Sequence, residues 1–248
     1  NLDKAAVYLN ECRLMHIPVL VPDVNRSAAD FVPAILPDGQ EGIPFGLSAV
    51  RNVGSALVDL IVAEREANGP FADFVDFCDR VPLPVLNKKT LEALIKAGAF
   101  DSLGHPRRGL LAVMEPIVDA TISRRREADM GVMTLFGDLA PDQGGFDDRP
   151  EIPDLQFDKS DTLRFEKEML GLYVSDHPLM GAEASLRRRT DCTIGDLAEV
   201  DEGSMRNVGG VITALQRKWT RKGDLMAVFP LEDLQGSIEV MVFPNTMR

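Results

Sequence analysis

The sequence predicts a mixed α+β fold: a mostly helical front followed by a small, partial β-barrel. Three observations predict it. Through roughly the first 130 residues, apolar side chains recur at three- and four-residue spacing. From residue 205 the period switches to two, with turn chemistry between the runs. Between these regimes, residues 138–158 ("DLAPDQGGFDDRPEIPDLQFD") carry seven acidic residues against one Arg, with three Pro and two Gly, the composition of a linker.

The elements follow in order. Residues 3–16 place Ala6, Val7, Leu9, Cys12 and Leu14 on one helical face. "IPVLVP" (17–22) reads as a short buried strand, and residues 31–46 as a hairpin around Pro37-Asp38-Gly39. "SAVRNVGSALVDLIVAERE" (48–66) reads as two helical pieces joined across Asn52-Val53-Gly54, the second starting at Ser55; Asn and Gly both tolerate the positive φ expected there. Residues 70–81 form a helix with an aromatic face, and 87–97 a helix capped by Asn87 and ended by Gly98. Further helices are expected over 107–129 and 161–179, then three strands at about 207–217, 224–233 and 237–243.

Composition bounds the function. A chain of 248 residues exceeds what one core usually organises, so two or three small domains are expected. Apolar content of 45% and charged content of 27% are those of a globular protein. No run reaches the ~18 apolar residues of a membrane span, and no signal peptide opens the chain. Cys12, Cys78 and Cys192 are odd in number and far apart, which argues against a disulfide framework or zinc site and fits a reducing cytoplasm. The missing initial Met and the unfinished barrel point to a piece of a longer chain.

The net charge of −12 argues against nucleic acid, yet the bases are clustered. The turn at Asn52-Val53-Gly54, beside Arg51, aims the free N–H groups of a helix start at Ser55 outward, a ready anion site; it reads equally as a plain corner. A second small-residue turn at Gly98-Ala99 follows a helix bearing Lys88 and Lys89 and precedes Arg107 and Arg108. Together they look like a tandem helix-hairpin-helix unit, which tracks phosphates without reading bases. Further runs are Arg124–Arg126, Arg187–Arg189 and the loop Arg217, Lys218, Trp219, Arg221, Lys222, whose cations flank the only Trp. That loop suits single-stranded nucleic acid by stacking and charge, or else packs Trp219 on its own sheet. Leu135-Phe136, in the polar stretch "GVMTLFGD", has the form of a short linear peptide that enters a partner's pocket, or else tucks into its own domain. His16, His105 and His177 lie apart, and no H-E-x-x-H or phosphate-binding Gly-Lys-Ser/Thr occurs, so no catalytic site is expected here.

Four ordered blocks, "GLSAVRNVGSALVDLIVAERE", "LNKKTLEALIKAGAFDSLG", "FEKEMLGLYVSDHPL" and "GGVITALQRKWTRKGDLMAVFPLEDLQGSIEVMVFP", resemble the alpha subunit of bacterial DNA polymerase III. The resemblance implies the end of the fingers region at 1–45 and tandem helix-hairpin-helix units at 46–130. It implies a sliding-clamp-binding segment, acidic linker and helix at 131–200, then the start of an OB domain at 201–248. It places the hairpins at Asn52, Val53, Gly54 and at Gly98, Ala99, Phe100, and the clamp peptide at Val132, Met133, Thr134, Leu135, Phe136. The implied partners are duplex and single-stranded DNA, the sliding clamp and other replicase subunits, with no membrane. The implied polymerase active site and its Mg²⁺ lie in a palm domain outside this sequence, so no cofactor is expected here and the piece alone should be inactive. Departures from the family pattern are Asn52 for the first hairpin Gly, Val132 for the Gln that opens the clamp peptide, and Asp176 for the Gly before His-Pro. Without that Gln, an anchor of about 1 kcal/mol or more is missing. A scaffold without DNA binding, and a metal-dependent hydrolase lacking any visible carboxylate cluster, are the competing readings.

Overall fold

A computed structural model describes residues 8–9, 11–36, 39–129 and 149–247. The chain forms two compact units, Pro18–Gly171 on one hand and Asn1–Ile17 with Leu172–Arg248 on the other. The fold is α+β.

The Pro18–Gly171 unit opens with a small sheet. Strand β1 (Val19–Leu20) pairs in parallel with β3 (Glu41–Pro44), which pairs antiparallel with β2 (Ala34–Ile35). A 3₁₀ turn at Leu47–Ala49 leads to α1 (Ser55–Asn68), then α2 (Phe74–Arg80), α3 (Lys88–Ala97), α4 (Arg107–Asp129) and α5 (Lys159–Leu170). The piece before Asn52 is therefore one 3₁₀ turn rather than a helix. Helix α2 begins at Phe74 because Asp73 caps it by accepting from the Asp76 N–H at 2.8 Å; residues 70–72 stay outside.

An aromatic cluster forms the centre of this unit. Phe100 meets Phe74 and Phe77 edge-on at 5.1 and 5.0 Å, and Phe71 meets Phe77 at 4.9 Å. The predicted aromatic face of α2 thus packs on the turn after α3. Helix α5 ends at Leu170, where Gly171 caps it with φ +79, short of the end expected at His177-Pro178. The apolar run Leu172–Val174 beyond it is buried but not helical.

In the other unit residues 8–9 and 11–14 are helical, and Arg13 donates to the Tyr173 carbonyl at 3.3 Å. A short helix α6 (Glu183–Arg187) precedes a sheet of β4 (Val211–Ile212), β5 (Gln216–Trp219), β6 (Leu225–Glu232) and β7 (Ser237–Val242). The expected first strand is two strands on one edge of β6. Ile212 pairs with Leu231 but Gln216 with Val228, so three residues, 213–215, face only Phe229 and Pro230. That is a β-bulge, which bends the run. Strand β7 lines the other edge of β6, and among the described residues the sheet does not close into a barrel.

Burial pushes the Cys78 thiol up to about 12, with Asp79 adding to it. At pH 8, where that thiol is protonated, a thiol reagent should modify Cys12 and Cys192, which are partly exposed, and reach buried Cys78 only after denaturant is added. Peptide mass mapping of the native protein checks this; Cys78 labelling as fast as the others would contradict the packing described.

Candidate nucleic-acid interface

The first hairpin is built to leave its amides outward. Asn52 takes φ +65, a left-handed conformation that Asn tolerates better than other side chains. Val53 is buried as the anchor, and its N–H bonds the Val50 carbonyl at 3.2 Å. Gly54 caps α1 with φ −83 and no side-chain bond, so of the two residues that tolerate a positive φ it is Asn52 that takes it. Leu57 and Val58 donate to the Gly54 carbonyl, whereas the exposed amides of Gly54, Ser55 and Ala56 bond no described residue. They sit at the positive end of a 14-residue helix.

Helix α3 starts beside this turn, because Thr90 Oγ1 donates to the Asn52 carbonyl at 3.4 Å. Its own amides are closed, since the Asn87 side chain accepts from Lys89 and Thr90. Lys88 is committed to Asp119 at 3.0 Å and Glu115 at 3.4 Å. Arg51 and Lys89 are exposed, with no ion pair among the described residues. The hairpin thus combines open amides with two uncommitted cations.

The second turn is organised differently. Gly98, at φ +89, and Ala99 turn their N–H groups back to Ile95 and Leu94, while the Ala99 carbonyl accepts from Val24. Ala99 and Phe100 are buried. Arg107 lies over the turn, its side chain only 11% exposed, bonded to Asp101 at 2.6 Å and to Glu166 at 3.2 Å, with a further bond to the Lys96 carbonyl. Burial alone would lower the Arg107 pKa, but its bonds to Asp101 and the two carboxylates raise it on balance, so the guanidinium stays charged and occupied. Arg108 is exposed without such partners among the described residues. Beside Arg107 a cleft of about 350 Å³, lined also by His105, Gln156, Phe157 and Thr162, opens at the head of α4.

The basic loop sits at the β5–β6 connection. Arg217, Lys218 and Trp219 belong to β5, with Arg221 and Lys222 in the turn. Trp219 is 71% exposed, so it does not pack into its own sheet. It shares a face with Arg217, as their cross-strand partners Leu225 and Ala227 alternate on β6. The clamp peptide expected at Val132, Met133, Thr134, Leu135 and Phe136 lies outside the described residues.

A model of the helix-hairpin-helix motif matches residues 16–110, both turns included. DNA polymerase III subunit alpha of Saccharopolyspora erythraea is 44% identical over 99% of this chain and 21% of its own length. The subunits of Mycobacterium leprae and Thermus aquaticus are each 42% identical, over 98% and 97% of this chain. Over nearly its whole length the chain is similar to one segment of DNA polymerase III alpha subunits. It spans about one fifth of the length of these relatives.

The clustering of cations in the sequence does not reveal the carboxylates that bind them. Glu166 is fully buried in α5, and its only signal was an acid falling on the apolar stripe of Leu163, Met169 and Leu170. Among the described residues no cluster of three or more His, Cys, Asp or Glu could hold a metal ion, and no helix is long and apolar enough to cross a membrane.

The two glycines should respond differently to substitution. A Cβ on Gly98 would strike the Arg107 guanidinium and is strained at φ +89, whereas one on Gly54 meets nothing within 4 Å. Gly98→Ala should cost about 1–3 kcal/mol in urea unfolding, and Gly54→Ala less than about 1 kcal/mol.

Proposed function

We propose that this segment is a DNA-handling part of a replicative DNA polymerase, holding duplex by its phosphates at the first hairpin and single-stranded template at the β5–β6 loop. One observation carries this: the open amides of Gly54, Ser55 and Ala56 lie at the head of α1 beside the uncommitted cations Arg51 and Lys89. Backbone amides at a helix start bind phosphate oxygens without reading bases. Arg108 and Lys88 stand at the margin of this grip, and Arg107, Gly98 and Ala99 act as its internal support. Trp219, exposed and flanked by Arg217, Lys218, Arg221 and Lys222, offers a stacking surface in a basic setting.

The resemblance implies that the polymerase reaction and its Mg²⁺ lie in a palm domain outside this sequence, and on this reading the segment alone has no nucleotidyltransferase activity. Clamp binding through Val132–Phe136, with Leu135 and Phe136 as anchors, rests on the sequence. The net charge of −12 favours a second reading, a scaffold that binds other replicase subunits and no DNA.

Fluorescence anisotropy of a labelled primer–template across a salt series separates the two. Each neutralised phosphate contributes about −0.9 to the slope of log K against log salt. The double change Arg51→Ala, Lys89→Ala should therefore flatten the slope by nearly 2, while Trp219→Ala weakens overhang binding by about 1–3 kcal/mol and spares blunt duplex. No binding at low salt would leave the scaffold reading.

A further inference from the structure

We propose that helix α5 is a working part of the duplex grip, and that Glu166 is a positioning residue that sets the first hairpin from a distance. This rests on the proposed phosphate contact at that hairpin. The matched helix-hairpin-helix motif ends at residue 110, yet each of its turns also takes a contact from a helix that begins at Lys159, Met169 at the first and Glu166, through Arg107, at the second.

The contacts form a closed ring. The Met169 carbonyl of α5 accepts from the Arg51 backbone N–H at 2.9 Å, immediately before the left-handed Asn52. The Asn52 carbonyl accepts from Thr90 in the first turn of α3. At the other end of α3, the Lys96 carbonyl accepts from Arg107 Nη1 at 3.3 Å, and the same nitrogen donates to Glu166 at 3.2 Å. Glu166 and Met169 are three residues apart and so lie on one side of α5, which closes the ring back to Arg51. Lys96 adds a further tie, its ammonium lying 5.1 Å from the centre of the Phe165 ring.

The hydrogen bonds of the ring run from 2.9 to 3.4 Å. The hairpin faces solvent at Gly54–Ala56 and is fixed behind at Arg51 and Asn52, both through this ring. Loss of the Glu166 charge frees Arg107 to follow Asp101, detaches α5 from the end of α3, and releases the Met169 carbonyl from its place under Arg51. The amides of Gly54, Ser55 and Ala56 then no longer hold the spacing that successive phosphates require.

The test is a double-mutant cycle on the whole chain, read as duplex affinity by anisotropy. The variants are Glu166→Gln, Gly54→Glu and the two combined, with unfolding midpoints recorded for each. Glu166→Gln should weaken duplex binding by about two- to thirtyfold at a temperature where the variant is folded. The loss should vanish when Gly54→Glu has already blocked the hairpin, and overhang binding through Trp219 should be unchanged. Glu166→Asp, which keeps the charge on a shorter stem, should fall between, and it carries the same cycle if Glu166→Gln does not fold. Duplex affinity unchanged by Glu166→Gln, or a loss that adds fully to that of Gly54→Glu, overturns the inference alone. An unmodified chain that binds no duplex overturns it together with the proposed function.

Discussion

The guanidinium of Arg107 is the constraint on which this architecture depends. It answers a buried carboxylate, Glu166, that would be intolerable alone in an apolar interior. Removing one partner of such a pair typically costs about 3–5 kcal/mol, mostly the penalty on the charge left behind. The requirement propagates outward. Gly98 has no side chain because the guanidinium lies where a Cβ would project. Gly109 is bare for a similar reason, since the Pro153 carbonyl passes against it and lets the segment before α5 lie on α4. Helices α3, α4 and α5 therefore meet around one cation.

That same cation explains why two turns of similar composition do different things. Both pair a small residue with nearby bases, and the sequence treats them as copies. At the second turn Asp101 and Glu166 consume the base and the backbone bonds inward, so it supports the fold. At the first turn no acid reaches Arg51 or Lys89 among the described residues, and three amides stay open. The overall charge of −12 is compatible with such a site, because a phosphate within a few ångströms responds to local amides and cations more than to acids beyond a Debye length of about 8–10 Å.

Most of the fold was legible because it follows local rules. Asn87 capping α3, Gly98 ending it and the aromatic face of α2 all express spacing and backbone preference. Where the reading slipped, a nonlocal contact or an equal apolar pattern had decided the outcome. The run Leu170–Val174 is apolar on both sides of Gly171, so periodicity did not mark the end of α5 there. The bulge at 213–215 costs one residue of register that alternation over a short strand does not reveal. The location of the candidate site was legible from the hairpin chemistry, but its division of labour was not. Which of Lys88, Lys89, Arg107 and Arg108 keeps its charge for a ligand depends on acids up to 59 residues away in sequence.

The most direct measurement is amide exchange at single-residue resolution with and without blunt duplex DNA, at low salt. The account predicts that the amides of Gly54, Ser55 and Ala56, which exchange freely in the unbound protein, become protected on adding duplex, while those of Gly98 and Ala99 are protected throughout. Protection that appears elsewhere and leaves Gly54–Ala56 exchanging as before would contradict it.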